Sequence, residues 1–168
     1  VAPEHIRAVE VEYDTLSGSW WQGQGPWRET YLAVQHSVLT ESDGKARVIH
    51  ELLRNQTGRS LLVGDGVSDL LASREVDLFA GFGGVIRRDR VALESKVFIQ
   101  SQSIAPVLLL AAGKAALEYS GDTGVQALAE KAHALTQSAA LCWNEVQLAE
   151  KFEACFGTRA TTASERDL

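Results

Sequence analysis

Two acidic residues four apart in a glycine-rich turn, Asp65 and Asp69 of "SLLVGDGVSDLLA", are the side chains here best spaced to do chemistry. The stretch opens as an apolar run and breaks at Gly64-Asp65-Gly66, which predicts a strand ending in a tight turn into a short helix. In an open α/β sheet, ligands gather beyond the carboxyl ends of the strands, and Asp65 directly follows one. Gly64 and Gly66 let the backbone approach a ligand with no Cβ in the way. Asp69 comes one helical turn later, on the side of that first turn. Two carboxylates so close resist joint ionisation unless a cation lies beside them. A hard ion such as Mg2+, held by one or two carboxylates with waters and phosphate oxygens, meets that need. The competing reading is structural, with Asp69 a helix cap or surface acid. A dinucleotide fingerprint would need glycine where Asp69 stands, and an EF-hand would need an oxygen ligand at Val67, so neither motif applies.

The elements that must position these residues alternate along the chain. "IRAVEVEY" reads as a strand, and turn chemistry in "DTLSGSWWQG" predicts a hairpin from about Ile6 to Gln24. A short helix or loop is expected after Pro26. "KARVIHELLRNQ" puts Val48, Ile49, Leu52 and Leu53 on one helical face, with Gly58 as the stop. "SLLVG" is an apolar strand, "VSDLLASR" a short helix, "VDLFAGFGG" a strand with a glycine turn, and "KVFI" a last strand. Helix and strand in alternation on short connections predict an α/β domain with a parallel sheet covered on both faces. Beyond Ser103 the chain turns alanine-rich. Val125, Leu128, Ala132, Leu135, Ala139, Cys142, Val146, Ala149 and Phe156 follow a three-and-four spacing, expected to be one amphipathic helix lying on its own domain; the alternative is a helix that pairs with a second copy. On that helix Cys142 and Cys155 face nearly opposite sides and do not bridge.

Composition narrows the function classes. The 168 residues fit one domain, and 45% hydrophobic with 23% charged residues is ordinary for a folded chain. Acidic residues exceed basic ones by 22 to 16, a net charge of −6, which disfavours nucleic acid and anionic membrane surfaces as partners. No apolar run reaches the roughly 20 residues that cross a bilayer. Two cysteines with no expected bridge point to a reducing cytoplasm. The sequence contains no methionine, so the expectation is a chain that does not begin at its own initiator. His5, His36, His50 and His133 are scattered without metal-ligand spacing. Trp20, Trp21 and Trp27 could floor a substrate flap or simply pack across strands.

"DGKARVIHELL", "LLVGDGVSDLLA" and "VDLFAGFGGVIRRDRV", in that order, resemble the later motifs of the haloacid dehalogenase (HAD) superfamily phosphatases, most closely the phosphoserine phosphatases. The likeness covers roughly Ile6 to Leu110. It implies a HAD-like Rossmannoid three-layer sandwich with a β-hairpin flap. By this resemblance Lys45 binds the transferring phosphate, and Asp65 and Asp69 hold Mg2+ and organise its waters, making Lys45 and Asp69 catalytic. Gly66 and Ser68 line phosphate and substrate, with Ser68 standing where relatives carry Asn or Thr, and Gly81 to Gly84 match the phosphoserine branch. The implied role is cytoplasmic hydrolysis of phosphoserine or a similarly small phosphorylated metabolite, as in serine biosynthesis. The physics agrees, because phosphoryl transfer depends mainly on positioning and fixed positive charge.

The chain departs from the family at its front. Family members begin with Asp-x-Asp-x-Thr, whose first aspartate attacks phosphorus and whose second protonates the leaving group; this sequence has no Asp-x-Asp. The family's phosphate-binding serine or threonine motif is missing too. The expectation is therefore a partial core over residues 1–110, without the first two strands of the parallel sheet, a helical extension over 111–157 and a polar tail over 158–168. The strand near Ile6 to Val11 would lose its neighbours and leave the sheet poorly formed, pair anew, or take a partner segment. Hydrolysis by this chain alone is expected to be absent, and a non-catalytic phosphate- or metal-binding module is the alternative.

Overall fold

The structure, a computed structural model, describes residues 2–14, 30–157 and 161–162. The main sheet has five strands in the order β3 (Leu61–Gly64), β4 (Leu78–Phe82), β5 (Val97–Ile99), β6 (Leu141–Trp143) and β7 (Thr161–Thr162). Neighbouring pairs are parallel except β5 and β6, which run antiparallel. The strands are short, and those of the sheet's interior are sealed on both faces, so their sequences read as apolar runs.

Alternation along the strands assigns side chains to two cores. Ala80 of β4, Val97 and Ile99 of β5 and Leu141 and Trp143 of β6 share one cluster with Leu109, Ala129, Ala132, Ala149 and Phe152 from α4 (Pro106–Ala112), α6 (Thr123–Gln137) and α7 (Val146–Phe156). Phe79, Phe98 and Cys142 point the other way, to Leu70 of α2 (Val67–Ala72) and Val91 and Ala92 of α3 (Asp89–Glu94). Successive strand residues face opposite sides, so the sheet lies between two helical layers. α1 (Gly44–Leu53) packs beside α2.

β3 stands at one edge of the sheet, and all four of its residues are only half-buried, whereas the middle of β4 is buried. Its start is tied to that of β4. Asp77, just before β4, accepts from the Ser60 N–H and hydroxyl at 2.8 Å each, and its own N–H donates back to Ser60 Oγ at 3.1 Å. This clamp fixes the register in which Leu61 faces Leu78. The Ser60 backbone N–H first, and then its hydroxyl, hold the Asp77 carboxyl below its ordinary value. A carboxylate with a lowered folded pKa contributes stability that is present above the unfolded value, about 3.9, and is lost as pH falls through the folded one. Asp77→Asn should therefore lower the urea midpoint near neutrality and flatten the acid limb of a plot of midpoint against pH, so that variant and wild type converge as pH falls below about 4. An unchanged acid limb would remove this role.

The carboxy-terminal half differs most from expectation. The single helix predicted through Cys142 and Cys155 is instead α5 (Ala115–Glu118), α6, strand β6 and α7. The break falls at Ser138, where α6 ends, and Ala139, whose φ of 57° is left-handed and cannot continue a helix. Leu141 to Trp143 then pair with β5 inside the sheet. Residues 111–157 are thus part of the same core as β4 and β5 rather than an extension of it. α6 buries Ala129, Ala132 and Thr136 against its own domain, while Leu128 is exposed. Cys142 is a buried strand residue and Cys155 an exposed helical one, and both are free thiols. In the expected tail, Thr161–Thr162 forms β7 against β6.

At the amino end, β1 (Val11–Asp14) forms a separate antiparallel pair with β2 (Thr30–Val34), with an irregularity between Glu12 and Tyr13. The strand expected near Ile6 to Val11 has no regular structure up to Glu10, and the strand that does form, β1, pairs with β2 apart from the main sheet. The hairpin is wider than the span Ile6 to Gln24, and β2 lies where a helix or loop was expected after Pro26. The tryptophans of the expected flap, Trp20, Trp21 and Trp27, lie outside the described residues. α1 ends at Leu53, before Gly58, which has a φ of 107° and takes the left-handed turn beyond it. Among the described residues no helix is long and apolar enough to cross a membrane.

Candidate functional site

The loop between β3 and α2 holds the site. Gly66 opens α2, and Asp69 turns back to accept the Gly66 N–H on Oδ2 at 3.0 Å, so Asp69 does act as a helix cap. Its second oxygen does something a cap does not require. Lys45, from the first turn of α1 and 24 residues away in sequence, donates Nζ–H to Asp69 Oδ1 at 2.6 Å. The Asp69 side chain is 11% exposed and that of Lys45 44%. The ammonium therefore reaches in from solvent to a nearly buried acid. An ammonium has three donors; one is committed to Asp69, and the others remain for the open side.

Two glycines permit this arrangement. The carboxylate of Asp69 lies against the bare Cα of Gly64, where an added Cβ would meet Asp69 Oδ2 at 2.6 Å and its Cβ and Cγ still closer. Gly44, immediately before Lys45, is buried against the 3-10 turn Val38–Thr40, and a Cβ there would overlap the Val38 carbonyl. The glycines of "GFGG" have a packing reason as well. A Cβ on Gly81 would meet Phe98 Cδ2 and Ser95 Oγ at 2.8 Å, and one on Gly83 would strike the same phenyl ring. Arg87 lies over that ring, its guanidinium carbon 5.3 Å from the centroid.

Asp65 has a different partner from Asp69. Arg88, the residue that opens α3, donates from Nη1 to the Asp65 carboxylate and, at 2.9 Å, to the Asp65 carbonyl oxygen. Residue type and spacing do not single out Arg88 within "GVIRRDRV". The available signal was topological: β3 and β4 are parallel neighbours, so the loops leaving their carboxyl ends lie side by side. Ser68 is half-buried on the first turn of α2. Beside Lys45, a cleft of about 510 Å³ runs between Val48, Ile49 and Leu52 of α1 and the segment bearing His5, Arg7 and Val9.

The donor set suits Mg2+ only through Asp65. That carboxylate is half-exposed, and such an ion can take one carboxylate and complete its shell with water and phosphate oxygens. Both oxygens of Asp69 are engaged, by Lys45 and by Gly66. Among the described residues no group of three or more His, Cys, Asp or Glu side chains converges as a metal centre. The arrangement is thus a pair of carboxylates, each held by a basic side chain, at the carboxyl edge of a mostly parallel sheet. Compared with known proteins, the chain matches no family model and no curated protein.

Proposed function

We propose that this chain is the phosphate- and metal-binding part of a HAD-type phosphomonoesterase, similar to phosphoserine phosphatases and acting on a small phosphorylated metabolite. The observation that carries the reading is the Lys45–Asp69 contact: a lysine at the start of one helix brought to the acidic loop that follows an apolar strand. Asp69 fixes the ammonium, whose remaining donors face the open side, where a phosphoryl group would meet a positive charge already oriented. Gly66 and Ser68 lie at the N-cap and in the first turn of the helix that carries Asp69. Asp65 would hold Mg2+, which when bound neutralises charge on phosphoryl oxygens. The cleft along α1 offers room for the organic part of a substrate beside Lys45. The aspartyl nucleophile of such an enzyme is not among these 168 residues, which have no Asp-x-Asp. That lack favours the second reading, a phosphate-binding module without catalysis.

Assays separate the two. In the protein as its gene encodes it, Mg2+-dependent phosphoserine hydrolysis should fall by about 100-fold or more in Lys45→Ala, the usual scale for removing one charge-stabilising donor. The 168 residues alone should not turn over. Turnover by these residues that Asp65→Asn abolishes would contradict the assignment of the nucleophile, and an encoded protein with no phosphatase activity would leave the binding module.

A further inference from the structure

Arg88 is the basic group at this site that the proposed reaction has not used. Its Nη1 straddles the side chain and the backbone carbonyl of Asp65, so it sits on the atoms that a divalent ion would have to approach. Both side chains are partly open to solvent, 41% for Arg88 and 47% for Asp65, so the guanidinium can leave without opening the core. Its backbone is anchored at the start of α3, and only the side chain has to swing. A guanidinium and a divalent cation repel each other and cannot both lie against one carboxylate oxygen.

We propose that Arg88 is the built-in competitor of the metal: it neutralises Asp65 while no ion is bound, and ion and guanidinium exchange on that carboxylate. This rests on the reading of Asp65 as the metal-holding residue. Once displaced, the arginine carries a planar fork of donors that matches phosphate oxygens better than an ammonium does. Metal arrival at Asp65 and anion capture by Arg88 are then two halves of one exchange, and bound phosphate tightens the metal by drawing the competitor away.

The test is metal binding by the 168-residue chain, followed through the loss of the free Mn2+ spin-resonance signal and by calorimetry with Mg2+. Arg88→Ala should bind either ion about fivefold more tightly than wild type, the upper range for releasing an exposed ion pair. Asp65→Asn added to Arg88→Ala should erase the gain. Arg88→Gln, which keeps a polar side chain over α3, should reproduce the tightening if the alanine variant folds poorly. Equal affinity in wild type and both Arg88 variants, with binding still lost in Asp65→Asn, would overturn the competition while keeping Asp65 as the ligand. Binding that is indifferent to Asp65→Asn, or absent from every variant, would overturn both.

Discussion

Gly44→Ala should cost this protein about 2 kcal/mol or more of stability, a large loss for a one-carbon change. Two effects oppose each other there. Within a helix, alanine is better than glycine by about 1 kcal/mol. Against it, the new Cβ would overlap the Val38 carbonyl oxygen and lie 2.6 Å from its carbon. The obstruction is backbone, so no rotamer change relieves it. The 3-10 turn that carries it is itself fixed, since the Gly44 N–H donates to the Glu41 carbonyl and the Glu41 N–H to that of Val38. Overpacking against rigid backbone belongs at or above the upper end of its range, about 1–3 kcal/mol, and so outweighs the propensity gain. Urea unfolding should show a lower midpoint with an unchanged slope. Because Lys45 is the next residue, tilting α1 off this turn should also weaken anion binding. A Gly44→Ala protein as stable as wild type would show that the approach of α1 to the turn is not close.

Asp69→Ala should lower stability by about 2 kcal/mol, split between two lost interactions. The bond to the Gly66 N–H is a cap of the kind worth about 1 kcal/mol. The bond to Lys45 cannot be given the 3–5 kcal/mol of a fully buried pair, because the lysine is 44% exposed and water screens it; about 1 kcal/mol is appropriate. Asp69→Asn keeps an oxygen for the cap and should lose only about half as much. A double-mutant cycle with Lys45→Ala isolates the second part: Lys45→Ala should cost less in an Asp69→Ala background than in wild type. Strict additivity would mean that the 2.6 Å contact does not couple the two residues.

The part of the fold written in local pattern was legible. The apolar run at Leu61–Gly64, the glycine break and the return strand at Leu78–Phe82 each carry their own signal, and so do the helix after Lys45 and the strand at Val97–Ile99. β6 was not legible in the same way. "AALCW" is uniformly apolar because both of its faces are buried, and a short run of that kind fits a helical stripe as well as a strand. The turn that decides the matter uses a left-handed alanine, Ala139, which residue type does not announce. The hairpin was misjudged because β2 is remote from β1 in sequence, beginning only at Thr30, well past the first turn signal.

At the site, the acidic loop and Lys45 were legible as residue types at a spacing. The division of labour between the carboxylates was not. Asp69 meets Lys45 because α1 packs beside α2, and Asp65 meets Arg88 because β3 and β4 run parallel, both of which are facts of tertiary arrangement. The same arrangement gives "GFGG" a steric explanation, since the ring of Phe98 occupies the space that side chains at Gly81 and Gly83 would need.

The most direct measurement is calorimetric titration of the chain with inorganic phosphate, wild type against Lys45→Ala. The account predicts saturable binding that weakens about tenfold or more when the ammonium is removed, the value of a charge-assisted contact. Phosphate held equally well by the alanine variant, or not held by wild type at all, would contradict it.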